Sequence, residues 1–281
     1  MKDADRDCTD VQHVECRPLK CRTLGMEVPM SGSSTVRRIM LACGLGLMAM
    51  PAMAEDAAKP AGVVELFTSQ GCSSCPPADA ALKTLIDDGK VVALSYHVDY
   101  WNYLGWADTL ASKDNTARQY AYAKMLGRSG VYTPQAVLNG RDHINGADID
   151  GINNRLLAMN ASGKGLAVPV SASVRNDEID IKIGAGDGKA NVVVVYFNRQ
   201  QLVDVKKGEN SGKKISYWHS VRDIQTIGMW DGKAASFVLP ASVLNQGENG
   251  GCAVLLQKMK DSETPGAIVG ATTVMANNTA N

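Results

Sequence analysis

A chain of 281 residues has room for one large domain or two ordinary ones. Its 29 basic and 29 acidic residues leave no net charge, so nothing in the composition points to a nucleic-acid or acidic-membrane surface. A hydrophobic content of 45% is enough to fill a proper core.

The first stretch reads as export rather than structure. Arg37 and Arg38 form a basic region, Ile39 to Met50 an apolar run of 12 residues, and Ala52-Met53-Ala54 a small-x-small cleavage site. Residues 1–54 are therefore expected to be an N-terminal extension and signal peptide, cleaved between Ala54 and Glu55. The expected location is periplasmic or secreted. Twelve apolar residues are too few to span a bilayer comfortably, so no stable membrane anchor is expected. Cys43 follows Arg38 with only four residues between them, which leaves almost no apolar run before a lipid-bearing cysteine. Residues 1–25 are expected to come from an over-extended start, with Met26 or Met30 the more ordinary beginning. Peptides from that stretch in native exported protein would refute this.

Export changes how the cysteines read. Cys8, Cys16, Cys21 and Cys43 precede the cleavage site, so the mature chain keeps Cys72, Cys75 and Cys252. Disulfides persist outside the cytoplasm, and three cysteines leave one pair and one remainder. The expected disulfide is Cys72–Cys75. A bridge across so short a loop constrains the unfolded chain little, which argues for chemistry over stapling.

The predicted elements run as follows. Val63 to Phe67 is a short buried strand. Gly71 breaks it, Cys72-Ser73-Ser74-Cys75 follows, and Pro76 suits a first helical turn. Ala78, Ala81, Leu82, Leu85 and Ile86 recur at helical spacing. Cys72 is expected at the helix N-terminus, where free amides and the helix dipole favour the thiolate, with Cys75 one turn on. After a turn at Asp87-Asp88-Gly89-Lys90, Val91 to Val98 is a second buried strand. Strand, helix and strand make a βαβ unit with parallel strands. Ligands gather at the carboxyl ends of such strands, which places His97, Asp99, Tyr100 and Trp101 near the dithiol. Residues 102–112 are an aromatic-bearing loop, and Ser112 or Asp114 caps a helix ending near Gly127. Thr133-Pro134 then leads into a strand. It is either an ordinary trans turn or a cis-proline beside an active site. Asn139-Gly140 turns a hairpin into Arg141–Ile144, and a last helix runs from Ala147 to about Asn160.

From Ser162-Gly163-Lys164-Gly165, a linker, the texture becomes β-rich. Strands are expected at 168–174, 178–183, 191–198, 201–206, 214–224, 233–239, 251–257 and 267–273. Gly208-Glu209-Asn210 reads most simply as a hairpin tip, the alternative being a tip that pairs back onto the first domain. Short strands with frequent turns suggest an antiparallel sandwich.

This order of elements resembles the thioredoxin fold, and four segments look like a secreted thioredoxin-like family of unknown function, DUF1223. They are Val64 to Asp79 around Cys-Ser-Ser-Cys-Pro-Pro, His97-Val98-Asp99-Tyr100-Trp101, Tyr132-Thr133-Pro134-Gln135 and Gly208-Glu209-Asn210. The resemblance implies a cis-proline at Pro134 facing the dithiol. It departs from thioredoxin itself at Gly71, where a tryptophan is usual, and at Ser73-Ser74, where Gly-Pro is usual.

The expected architecture is an α/β thioredoxin-like domain over residues 60–162, followed by a mostly antiparallel β-sandwich-like domain over 166–276. The expected function is that of an exported thiol–disulfide oxidoreductase acting on a protein or peptide thiol or disulfide, with no nucleic-acid partner and no cofactor. Cys72 attacks, Cys75 resolves, Thr133 and Pro134 position the partner strand, and His97 tunes the thiol. The bland reading of His97 is a strand-end histidine satisfied by a carbonyl; Asp99 either orients His97 or accepts a proton, or, on the bland reading, caps the following loop. Tyr100, Trp101, Tyr103 and Trp106 crowd a chain that is only 5% aromatic. They are either a substrate lip or packing for the helical insert, with Asp99, Tyr100 and Trp101 the groove candidates. The alternative function is a periplasmic copper- or zinc-binding or delivery protein using Cys72, Cys75 and His97. Cys252 reads as a buried, inert thiol.

Overall fold

In the computed structural model, residues 59–245, 250–261 and 264–276 are described. The extension, signal peptide and cleavage site expected within 1–54 lie outside the described residues. β1 (Val63–Thr68) is buried at all six positions. Its Val64 and Leu66 enter one apolar cluster and its Val63 and Phe67 another, which is why the strand is an apolar run and not an alternation. α1 (Pro76–Asp87) begins with prolines in its first turn and turns Ala78, Ala81, Leu82 and Leu85 inward. β2 (Val92–His97) returns parallel to β1, pairing Val63 with Val92 and Thr68 with His97.

A 3₁₀ turn (Asn102–Leu104) leads to α2 (Lys113–Met125). Ser112 caps α2, its hydroxyl accepting from the Asn115 amide at 3.0 Å. β3 (Gln135–Leu138) pairs antiparallel with β1 and with β4 (Asp142–Asn145). Their turn places Asn139 and Gly140 at φ 49° and 59°, the conformation that selects Asn-Gly. α3 (Ile149–Ala161) is capped by Asp148. α1 and α3 together cover one face of β1 and β3, through Leu82, Leu85, Ile152 and Leu156.

The remaining strands are β5 (Val170–Arg175), β6 (Glu178–Ile183), β7 (Ala190–Asp204), β8 (Lys214–Trp230), β9 (Ala235–Pro240), β10 (Gly250–Met259) and β11 (Pro265–Met275). β5, β6 and β9 form a small antiparallel sheet. Ile179, Ile181 and Ile183 of that sheet pack on Val192, Val194, Cys252 and Val254 of a larger one. The larger sheet has eight strands in the order β11-β10-β7-β8-β2-β1-β3-β4.

That order revises the expected division at residue 163. β8 runs parallel to β2 and pairs with it at Ser220 and Ser95, so strands from both segments share one sheet. The described residues all fall within one compact unit. The physical reason is edge coverage: β2 would otherwise expose a row of unpaired backbone groups. The core is shared as well. Phe67, Tyr96 and Tyr122 pack with Val193, Val195, Phe197 and Leu255. A buried polar bridge crosses the same boundary. Arg118 donates to Glu65 at 2.8 Å and to Gln257 at 2.9 Å, and Tyr122 donates to Glu65.

The two strands expected at 191–198 and 201–206 are one, β7, and β8 extends past Ile224 to Trp230. Exposed Arg199 and Gln200 interrupt the buried apolar run without ending the strand, which continues as part of a long ribbon. Two register shifts in the β7–β8 pairing let that ribbon bend.

Candidate dithiol site

Cys72 and Cys75 form a disulfide with Cα atoms 5.4 Å apart. Cys75, rather than Cys72 as expected, is the N-cap of α1, because the helix begins only at Pro76; its carbonyl accepts from the Ala78 and Asp79 amides. The Cys72 amide donates to Ser69 and the Cys75 amide to Cys72, so the loop is a run of tight turns. Ser73 and Ser74 are exposed between the cysteines. The sulfur-bearing residues are not: Cys72 is 1% exposed and Cys75 0%.

Gly71 is the residue before this loop. A Cβ on it would lie 3.1 Å from Cβ of Trp101, so glycine lets Trp101 close over the chain. Trp101 in turn donates its indole N–H to Thr133 at 2.8 Å. The Thr133–Pro134 peptide is cis, and Gln135 just after it pairs with Phe67 of β1. Trp101 therefore links the loop before the dithiol to the turn before β3. Tyr103 stacks on Trp101 and is 77% exposed. Of the groove candidates, Tyr100 packs against the main core. Asp99 serves α2: its amide donates to the Thr116 hydroxyl, which donates to its carboxylate at 2.7 Å. The outward-facing ring is Tyr103, two residues beyond Trp101.

Behind the loop lies a buried polar cluster. His97 ends β2 and meets Oδ2 of Asp108 at 2.9 Å through Nδ1. The same carboxylate oxygen accepts the Gln70 amide at 2.7 Å, and Oδ1 accepts the Leu110 amide. Asp79, one turn along α1 from Cys75, accepts from the Thr68 hydroxyl at 2.7 Å. Tyr217 of β8 sets its ring edge-on to His97, with centroids 4.6 Å apart. Asp79 Oδ2, His97 Nε2 and the Tyr217 hydroxyl are all buried without a partner.

Burial raises the pKa of Asp79 to about 7, against the opposing pull of His97 and the Thr68 hydroxyl. Burial works against the His97 imidazolium, but the charge and hydrogen bond of Asp108, with help from Asp79, lift its pKa above the ordinary value. Burial also opposes ionisation of Asp108, and His97 outweighs it, holding that carboxyl below the usual range.

His97 makes no hydrogen bond to either sulfur. It acts on the loop through Asp108 and Gln70. Among the described residues no group of three His, Cys, Asp or Glu side chains is arranged to hold a metal ion, so Cys72, Cys75 and His97 do not converge as a ligand set. Cys252 is buried and unpaired in β10, and burial pushes its thiol up to about 12.

The family described as "Protein of unknown function (DUF1223)" matches residues 63–257, a span that runs from β1 to within β10. The chain belongs to the DUF1223 family. It is also similar to an X-ray crystal structure of a protein from Agrobacterium tumefaciens, with 60% identity over 80% of this chain and 98% of that one and a TM-score of 0.73. No curated protein matches.

In this DUF1223 chain several site residues escape a reading by spacing. Asp79, Asp108, Gln70 and Tyr217 are polar residues on four separate segments. Asp79 carries the one local signal: it is a carboxylate on the inward stripe with Ala78 and Leu82. Glu209 and Asn210 read as a hairpin tip and prove to touch the dithiol loop. The Ser73 amide donates to Glu209 at 3.0 Å, and Asn210 donates to the carbonyls of Gln70 and Cys72 at 3.0 and 2.8 Å.

Proposed function

We propose that this protein exchanges disulfides with a protein or peptide partner through Cys72 and Cys75, in a compartment outside the cytoplasm. One observation carries the reading: a disulfide spanning three positions caps α1 and has a titratable carboxylate, Asp79, one turn behind it. So short a bridge adds little to stability, and buried ionisable groups cost stability unless they have work to do. A group with a pKa near neutrality can both take and give a proton at physiological pH.

In the reducing direction the Cys72 thiolate attacks a partner disulfide. The partner S–S bond breaks, one partner thiolate leaves, and a mixed disulfide forms. Cys75, as thiolate, then attacks Cys72 Sγ, restores the bridge and releases the second partner thiolate. The partner gains two electrons and the dithiol loses two; the reverse sequence oxidises a partner. The Trp101–Tyr103 pair, tied to Thr133, supplies an exposed aromatic surface beside the loop for a peptide chain.

The test is single-turnover exchange between reduced mature protein and a disulfide-bonded peptide, read by peptide thiol release. Wild type is expected to release thiol and Cys72→Ser to be inactive. Equal rates for the two would overturn the reading.

A further inference from the structure

The tip of the β7–β8 hairpin reaches back across 136 to 140 positions of sequence to the dithiol loop. Its shape is held internally. The Gly212 amide donates to Val205 at 2.8 Å, the Lys213 amide to Asn210 at 3.1 Å, and the Ser211 hydroxyl to Lys206 at 3.0 Å. Gly208 takes φ 77°, and a Cβ there would lie 3.5 Å from Cβ of Trp106, so the tip also rests on the aromatic loop.

Asn210 is 0% exposed, which is unusual for the end of a hairpin. Both halves of its amide are used. Nδ2 serves the carbonyls of Gln70 and Cys72, and Oδ1 accepts from Lys213 Nζ at 2.8 Å. That set of partners fixes which way the amide points. Glu209 is exposed and holds the Ser73 amide, the first N–H after Cys72.

These contacts bear on the sulfur. A thiolate at Cys72 is favoured by nearby free amides and opposed by nearby negative charge. Glu209 engages one such amide and adds a carboxylate. Asn210 pins the carbonyl of Cys72 itself, and the closed loop leaves that residue almost without solvent contact.

We propose that Glu209 and Asn210 are positioning residues of the dithiol, a plug built into the fold that holds the Cys72–Cys75 loop closed and opposes the Cys72 thiolate until a partner displaces it. The assignment to a dithiol that works by exchange rests on the function proposed above. The plug gives that site its specificity: an entering chain must compete for the carbonyls of Gln70 and Cys72, so a peptide segment with free backbone or side-chain amides fits and a small thiol does not.

The experiment uses the full mature chain and dithiothreitol. This reagent supplies two electrons and two protons, turns the bridge into two thiols and becomes a cyclic disulfide. The rate of bridge reduction is followed by thiol trapping for wild type, Asn210→Ala, Asn210→Asp and Glu209→Gln. The aspartate variant keeps the shape and removes the donor. Both Asn210 variants are expected to be reduced at least tenfold faster than wild type. Glu209→Gln is expected to lower the midpoint of thiolate absorbance for Cys72 in the reduced protein, a shift that a merely structural contact would not give. Rates within twofold of wild type for both Asn210 variants, or an unchanged midpoint in Glu209→Gln, would overturn the proposal. If the Asn210 variants do not fold, Glu209→Gln decides, since it alters an exposed side chain. Dithiothreitol needs no partner, so a fast-opening variant of a protein inert toward peptide disulfides would sink the function and leave the plug standing.

Discussion

Nδ1 of His97 and Oδ2 of Asp108 lie 2.9 Å apart with almost no solvent around either side chain, and the backbone N–H of Gln70 shares that oxygen. Two residues before Cys72, the chain is thus tied to an ionisable pair. Asp79 completes the group from α1, and Tyr217 faces it from β8. Protonation here has consequences for stability and for the loop.

The pH dependence has a definite sign. Asp79 binds its proton more tightly folded than unfolded, holding it up to about pH 7. Between about pH 4 and 7 the native state therefore carries more protons, and stability falls as pH rises through that window. His97, also raised, contributes stability that is full below the ordinary histidine range and lost as pH climbs through its folded pKa. The two effects add. Asp108, lowered, acts oppositely and only in acid, its contribution being lost as pH falls below the ordinary carboxylate value. Asp79→Asn is expected to flatten the slope between pH 4 and 7 and to raise stability at pH 8 by about 2 kcal/mol. Urea unfolding of the oxidised protein from pH 4.5 to 8 measures this. An unchanged slope in the variant would count against Asp79 as the titrating group.

Burial of both sulfurs and the carboxylate of Glu209 disfavour the reduced, ionised state. The Cys72–Cys75 couple is therefore expected near the reducing end of the dithiol range, roughly −270 mV. Equilibration with glutathione and thioredoxin couples gives the value. A result near roughly −120 mV would mean an unstable disulfide and an oxidant.

Cys75→Ser is expected to trap Cys72 in a mixed disulfide with the native partner, since the resolving thiol is gone. Non-reducing gels of cell extracts after acid quenching should show an adduct that dithiothreitol removes. Complete absence of adducts would argue against a protein substrate.

Glu65 and Arg118 hold β1, α2 and β10 together from inside the core. Glu65→Ala leaves a buried guanidinium without its charge partner and is expected to cost about 3–5 kcal/mol. Denaturant unfolding of the two proteins checks this, and a loss under about 1 kcal/mol would mean that water reaches the site.

Trp101→Phe keeps the ring and deletes the indole N–H that reaches Thr133. A loss of about 1 kcal/mol is expected, with little change in the rate of bridge reduction by dithiothreitol. A large rise in that rate would give Trp101 a share of the gating assigned to the hairpin tip.

Local pattern carried much of the fold. The apolar run at Val63 to Phe67, proline after Cys75, Ser112 before α2 and Asn139-Gly140 each act within a few residues, because strand burial, helix caps and turns are short-range physics. The Cys72–Cys75 pair was legible for the same reason. Residues far apart in sequence brought in what pattern does not report. Ser95 and Ser220 fuse the two halves into one sheet, since an apolar strand signals burial without naming the neighbour that pairs with it. Asp79, His97, Asp108 and Tyr217 meet because four segments fold inward together. Asn210 reaches Cys72 because a ribbon of two long strands bends back over the dithiol. Composition can mark a side chain as polar, and only packing says whether water or a backbone carbonyl satisfies it.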